Sequence, residues 1–161
     1  MIYCTADDIT KRFGTRELIE LTDRDNMPPS TIDQTRVDAA IADAGSLIDG
    51  YIGQMYRLPL QGCNGPPNDP TTYVVPPQLK RICCDLARYY LHDDLAPENE
   101  VYRRFKSAQV ELQNIANNKT QVACPYGGEP GELLTSSVQS GEKTSYAFSP
   151  RTITDDSLSG F

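Results

Sequence analysis

The residues able to do chemistry are few, and their spacing limits what that chemistry could be. Asp23-Arg-Asp-Asn-Met starts like a calcium-binding loop, which needs a glycine at its sixth position and a glutamate at its twelfth. Counted from Asp23, those positions hold Pro28 and Gln34, so a capped turn is expected there and a calcium site is not. The pairs Asp7-Asp8, Asp93-Asp94 and Asp155-Asp156 are of the type that can share a proton in catalysis. They fall at helix ends or in the C-terminal tail, where helix-dipole and solubility roles account for them. The five cysteines, Cys4, Cys63, Cys83, Cys84 and Cys124, are odd in number and form no Cys-x-x-Cys. Adjacent Cys83 and Cys84 cannot both face one side of a helix. Free thiols, some of them core residues, are therefore expected in preference to a disulfide frame or a zinc site. The single histidine, His92, completes neither a metal cluster nor a Ser-His-Asp set. Gly127-Gly-Glu-Pro-Gly131 has no preceding strand and no following Lys-Ser/Thr, so it is no phosphate cradle. The expectation is a protein that is not an enzyme, with no catalytic residue, cofactor or metal.

Binding chemistry remains. Arg81, Arg88, Arg103, Arg104 and Lys106 would suit a basic patch, but Asp85, Glu100 and Glu111 are interleaved as helix-spaced partners, which predicts a solvated mixed face. The chain carries 15 basic and 22 acidic residues. Residues 1–119 hold 13 and 17 of them (net −4), and residues 120–161 hold 2 and 5 (net −3). Neither part has the basic excess of a DNA-gripping domain. Among the tyrosines, Tyr51 and Tyr90 fit helix stripes and are assigned to the core. Tyr56 and Tyr89 are the better candidates for a partner interface.

The elements that must position these groups are helical. Its 161 residues suit one domain with an arm. No apolar run reaches the length of a membrane span, and the N-terminus lacks a signal-peptide pattern, so a cytoplasmic location is expected. Thr5, with Asp8 three residues on, predicts a capped short helix ended by Gly14. Thr15 is expected to cap a second one over Arg16–Leu21. The strongest periodicity is Gln34–Met55, with Val37, Ala40, Ile41, Ala44, Leu47, Ile48, Tyr51, Ile52 and Met55 in steps of three and four. Asp33 or Thr31 would cap it. Gln61–Val75, rich in Gly and Pro, reads as a long exposed loop. Pro76-Pro77 opens a second long helix, and a third covers about Glu98–Asn117. The fold class predicted is mainly α: a small bundle of three long and two short helices over residues 1–119. Residues 120–161 read as an extended C-terminal arm with room for a short β-hairpin over Val138–Phe148. The arm lacks the periodic apolar residues of a core, yet Phe148, Ile153, Leu158 and Phe161 are spaced through it with Arg151, Asp155 and Asp156 between them, as anchors for a partner would be. Gly160 would let Phe161 turn into a pocket.

Several blocks together resemble one family. They are Tyr3-Cys-Thr-Ala-Asp-Asp-Ile-Thr-Lys-Arg-Phe-Gly14, Glu17-Leu-Ile-Glu-Leu-Thr-Asp-Arg-Asp25, Ala42-Asp-Ala, Ile48-Asp-Gly-Tyr51, Tyr56-Arg-Leu-Pro-Leu60, Asp85-Leu-Ala-Arg-Tyr89 and the ending Asp155-Asp-Ser-Leu-Ser-Gly-Phe161. Their order and spacing resemble the head–tail adaptor (head-completion, neck connector) proteins of Mu-like tailed phages. The 61–75 loop looks longer than is usual there, and a basic residue near Asp155 is missing. The resemblance implies a virion structural protein of the neck, made in the host cytoplasm. It implies a homo-oligomeric ring, typically of twelve copies, beneath the portal protein and joined to tail, tail-terminator or stopper proteins, with DNA only passing through the lumen. The contrasting expectation, a helical DNA-binding regulator with an N-terminal helix-turn-helix, lacks a basic recognition helix.

Overall fold

The computed structural model describes residues 2–92 and 99–134. Its elements are α1 (Ala6–Phe13), α2 (Thr15–Thr22), α3 (Gln34–Ile52), β1 (Cys63–Asn64), β2 (Tyr73–Val74), α4 (Pro77–Leu91) and α5 (Glu100–Ala116). The mainly α bundle with two short and three long helices is what the periodicity predicts.

Local chemistry sets the helix ends. The Thr5 hydroxyl accepts the Asp8 N–H at 3.3 Å and the Asp8 carboxylate accepts the Thr5 N–H at 3.0 Å, a reciprocal cap. Asp7 and Asp8 lie in the first turn and Lys11 and Arg12 in the last, which suits the helix dipole. Gly14, at φ 96°, ends α1. The same glycine is also the N-cap of α2, which has no side-chain cap, so Thr15 lies inside the helix and the expectation of a Thr15 cap is corrected. Asp33 caps α3 by accepting the Thr35 and Arg36 N–H groups. That helix closes at Ile52 rather than Met55: beyond Gly53 the Gln54 and Met55 N–H groups turn to the Tyr51 and Ile52 carbonyls three residues back, a tightened turn that ends the α pattern.

The turn between α2 and α3 is built on one carboxylate. Asp23 accepts the backbone N–H groups of Asn26, Ser30 and Thr31 and the Asn26 side-chain amide. These donors, Ser30 first, then Asn26 and Thr31, hold its carboxyl well below the usual range. The Thr22 hydroxyl donates to the Leu18 carbonyl and accepts the Asp33 N–H, tying the end of α2 to the start of α3.

The core fills the space between α3, α4 and α5. Val37, Ala44, Ile48 and Ile52 of α3 meet Leu79, Ile82, Leu86 and Ala87 of α4, with Phe105, Ala108, Leu112 and Ile115 of α5 completing it. Each stripe repeats every three or four residues, so each helix buries one face. α1 packs on α3 and α4.

Two segments differ from the sequence reading. The 61–75 loop contains the antiparallel pair β1–β2, with Cys63 opposite Val74 and Asn64 opposite Tyr73. A Cβ at Gly65 would lie 2.4 Å from the Asp69 carbonyl oxygen and 2.6 Å from that of Thr72, so this loop closes only around a residue without a side chain. The residues directly after Lys119 are not a free arm. Val122 is in the core, Tyr56 bridges to Leu133, and the Arg57, Gly62 and Leu134 N–H groups donate to Glu132, Pro130 and Met55 carbonyls at 2.8 Å. This return places Cys124 against β1, with the Cα atoms of Cys63 and Cys124 5.4 Å apart and their sulfurs bonded. The expectation of free thiols at these two positions is corrected: the partners are 61 residues apart in sequence, and only the folded return brings them within disulfide reach. Cys4, Cys83 and Cys84 are free and buried as expected. The expected hairpin at Val138–Phe148 lies outside the described residues. No helix among the described residues is long and apolar enough to cross a membrane.

Candidate interaction site

α4 presents a charged seam beside its apolar stripe. Asp85 is buried, at 4% exposure, where a solvated residue was expected. The reason is that guanidiniums converge on it from three helices. Arg12 of α1 stands 3.9 Å away, Arg81 of α4 3.6 Å and Arg104 of α5 4.0 Å. Its Oδ1 accepts no hydrogen bond from the described residues. Burial pushes the Asp85 carboxyl up, against the opposing pull of Arg12, Arg81, Arg104 and Arg88. The outer members of the seam are neutralised: Arg81 bonds Glu111, Arg104 bonds Glu100, and Arg88 bonds Glu17 while lying 4.4 Å over the Phe13 ring. The seam ties α1, α2, α4 and α5 together, and its cations are committed to carboxylates.

Three buried sulfurs lie beneath it. The Cys4 and Cys83 sulfurs are 3.0 Å apart. Hydrogen bonding to Cys83 and burial raise the Cys4 thiol, and hydrogen bonding to Cys4 and burial raise that of Cys84. Both therefore stay protonated, the state in which a thiol is neither nucleophile nor metal ligand. Among the described residues, no three His, Cys, Asp or Glu side chains group as a metal site.

A groove of about 750 Å³ lies between the N-terminal segment and α3. Its apolar lining includes Ile2, Ala6, Ile41, Ala42 and Gly45, and its rim carries Asp7, Asp38 and Asp49. Ile2 is 74% exposed. The segment is pinned from below, since the buried Tyr3 donates its hydroxyl to Asp49. Burial and this bond to Asp49 push the Tyr3 hydroxyl up, so it remains a donor.

On α5 the side away from the core carries Arg103, Lys106 and Val110, all exposed. Arg103 and Lys106 have no carboxylate partner among the described residues, and Val110 is 55% exposed. The Lys106 ammonium stands 5.7 Å from the Tyr102 and Phe105 ring centres.

The predicted interface residues fall in separate places. Tyr56 is 3% exposed and belongs to the protein's own core, because the returning chain at Leu133 covers it. Tyr89 is half-buried, stacked on Phe105 with centroids 3.8 Å apart and next to Tyr90 and Tyr102. Phe148, Arg151, Ile153, Asp156, Leu158, Gly160 and Phe161 lie outside the described residues. Sequence reasoning missed the groove and the exposed Val110. The signal for Val110 was present: it sits about 150° around the helix from Phe105 and Leu112, where a helix normally turns a polar side chain to water.

Comparison with known proteins gives a consistent set of relatives. The family model described as "Bacteriophage Mu, Gp36" matches residues 3–137. Gene product J of Escherichia phage Mu is 29% identical over 120 residues, covering 74% of this chain and 75% of the relative. The Mu-like prophage FluMu protein gp36 of Haemophilus influenzae is 29% identical over 99 residues, covering 61% of this chain and 60% of the relative.

Proposed function

The chain belongs to the Mu Gp36 family, and from that premise we propose that it is a virion structural protein, a head–tail adaptor that forms a ring beneath the portal and joins the DNA-filled head to the tail. The observation that carries the reading is the match over residues 3–137, which includes all of the helical body and every block by which the sequence resembles such adaptors except the ending, residues 155–161. Several features of the structure support it. The body is a helical bundle tied by a charged seam, its Cys4 and Cys84 thiols are held protonated, and the groove beside α3 is largely apolar, of the kind that takes another protein's side chains. Net charge −7 suits a lumen through which DNA slides without sticking. Arg81, Arg88 and Arg104 are bonded to carboxylates, which removes them from phosphate binding and disfavours the DNA-binding regulator. The partners proposed are the portal protein, further copies of the chain (twelve in the resembling family) and tail or tail-terminator proteins. No cofactor, catalysis or membrane is involved.

Copurification tests the partner assignment. Tagged full-length protein, expressed with the portal protein encoded by the same phage or prophage, should retain it through washing in moderate salt. Recovery of the adaptor free of portal, from cells where portal assemblies are present, would overturn the reading.

A further inference from the structure

The groove and the outer face of α5 lie on opposite flanks of the same bundle. At about 100° per residue, Asp38, Ala42, Gly45 and Asp49 share one flank of α3, which is the groove flank. Leu47 and Tyr51 fall on the other, where they share a cleft with Tyr90. The Tyr90 ring stands edge-on to Phe105 of α5 at 6.1 Å, which fixes α5 on that second flank. The two surfaces are complementary. One is an apolar channel rimmed by Asp7, Asp38 and Asp49. The other is a helix face with Arg103 and Lys106 on either side of an exposed Val110. Asp7 and Asp38 already have partners on their own helices, Lys11 and the Gln34 amide. These are exposed contacts of small net worth, readily exchanged for a guanidinium.

We infer that the occupant of the groove is a second copy of this chain, which inserts Val110 of α5 over Ile41 and Ala42 while its Arg103 and Lys106 face the Asp7 and Asp38 rim. Surfaces on opposite flanks make a heterologous, head-to-tail contact. Such contacts propagate from copy to copy and close into a ring where the rotation permits. The inference rests on the adaptor reading only for that closure; the contact itself stands on the groove, the exposed apolar residue and the charges.

Charge exchange tests it. Asp7→Lys with Asp38→Lys reverses the rim, and Arg103→Glu with Lys106→Glu reverses the helix face. All four positions are exposed, and circular dichroism verifies that the variants fold. In sedimentation velocity at rising concentration, the unaltered protein should self-associate and each variant alone should remain monomeric. An equimolar mixture should associate again, because every contact in an alternating assembly then joins opposite charges. Ala42→Trp fills the channel without changing charge and should also give monomers. An unaltered protein that stays monomeric, a reversed variant that still associates, or a mixture that stays apart would each overturn the contact. The portal is absent from this assay. Self-association through the groove without head joining would therefore refute the adaptor role and leave the contact standing.

Discussion

The α3–α4–α5 bundle and the flap formed by residues 55–64 with 120–134 are held by partners at very different distances along the chain. In the bundle, each helix is specified by residues three or four apart: Val37 to Ile52, Leu79 to Leu91, Val101 to Ile115. In the flap, Tyr56 bridges to Leu133, Arg57 donates to Glu132, and Cys63 bonds Cys124 across 61 residues. The difference teaches where the stability of each part comes from. Burial drives the bundle, and the flap adds loop closure to the smaller burial of Tyr56, Leu60 and Val122 against it.

That comparison is open to breakage. The largest effect is expected in the bundle. Leu86 is fully buried in mid-α4, and Leu86→Asp places an unpaired carboxylate in the core. That costs several kcal/mol, about a domain's whole margin. Loss of cooperative thermal unfolding in circular dichroism is the expected result, and an unchanged melt would mean that this stripe is not the core.

The next effect belongs to the flap. Cys124→Ala releases a loop of 61 residues, for which chain entropy gives about 4 kcal/mol as an upper figure and about 2 as a common outcome. Hydrogen exchange should then quicken in residues 120–134 and 56–64 while amides of α3, α4 and α5 stay protected. Uniform loosening of all three helices would show that the flap is part of the bundle's cooperative unit. Treating the unaltered protein with a reductant should reproduce the variant's pattern.

The parts legible in the sequence were those whose signals are close together. The Thr5–Asp8 cap, the Asp33 cap, Pro77 at the first turn of α4 and the apolar stripes each involve residues no more than four apart. Asp85 escaped because Arg81 and Arg88, four and three residues away, imply an ordinary surface pairing. Arg12 and Arg104, which help bury it, arrive from other helices. Tyr56 and the Cys63–Cys124 bond escaped because nothing near either cysteine marks its partner. Gly65 stood among other loop residues, and its need to be glycine comes from backbone oxygens of Asp69 and Thr72 that only the closed loop brings near.

The smallest effect sharpens the picture of the seam. Burial raises the Asp85 carboxyl despite the pull of four guanidiniums, Arg12, Arg81, Arg104 and Arg88. A group whose folded value lies above its unfolded one disfavours folding once ionised, and this penalty fades as pH falls through the raised value. Asp85→Asn should therefore leave stability at neutral pH within about 1 kcal/mol of the unaltered protein, or slightly above it. The variant's relative stability should rise from pH 4 to pH 7. Urea unfolding at the two pH values checks this, and a relative stability that falls with pH would mean that the arginines outweigh burial.

The central claim, that this Gp36-family chain joins heads to tails, is tested most directly by removing it. A Mu-like phage or prophage carrying this chain is induced with its gene deleted, and the lysate is imaged by electron microscopy before and after purified protein is added. The account predicts DNA-filled or DNA-losing heads and separate, complete tails without the protein, and infectious joined particles once it is supplied. Normal yields of joined particles in its absence would contradict the account.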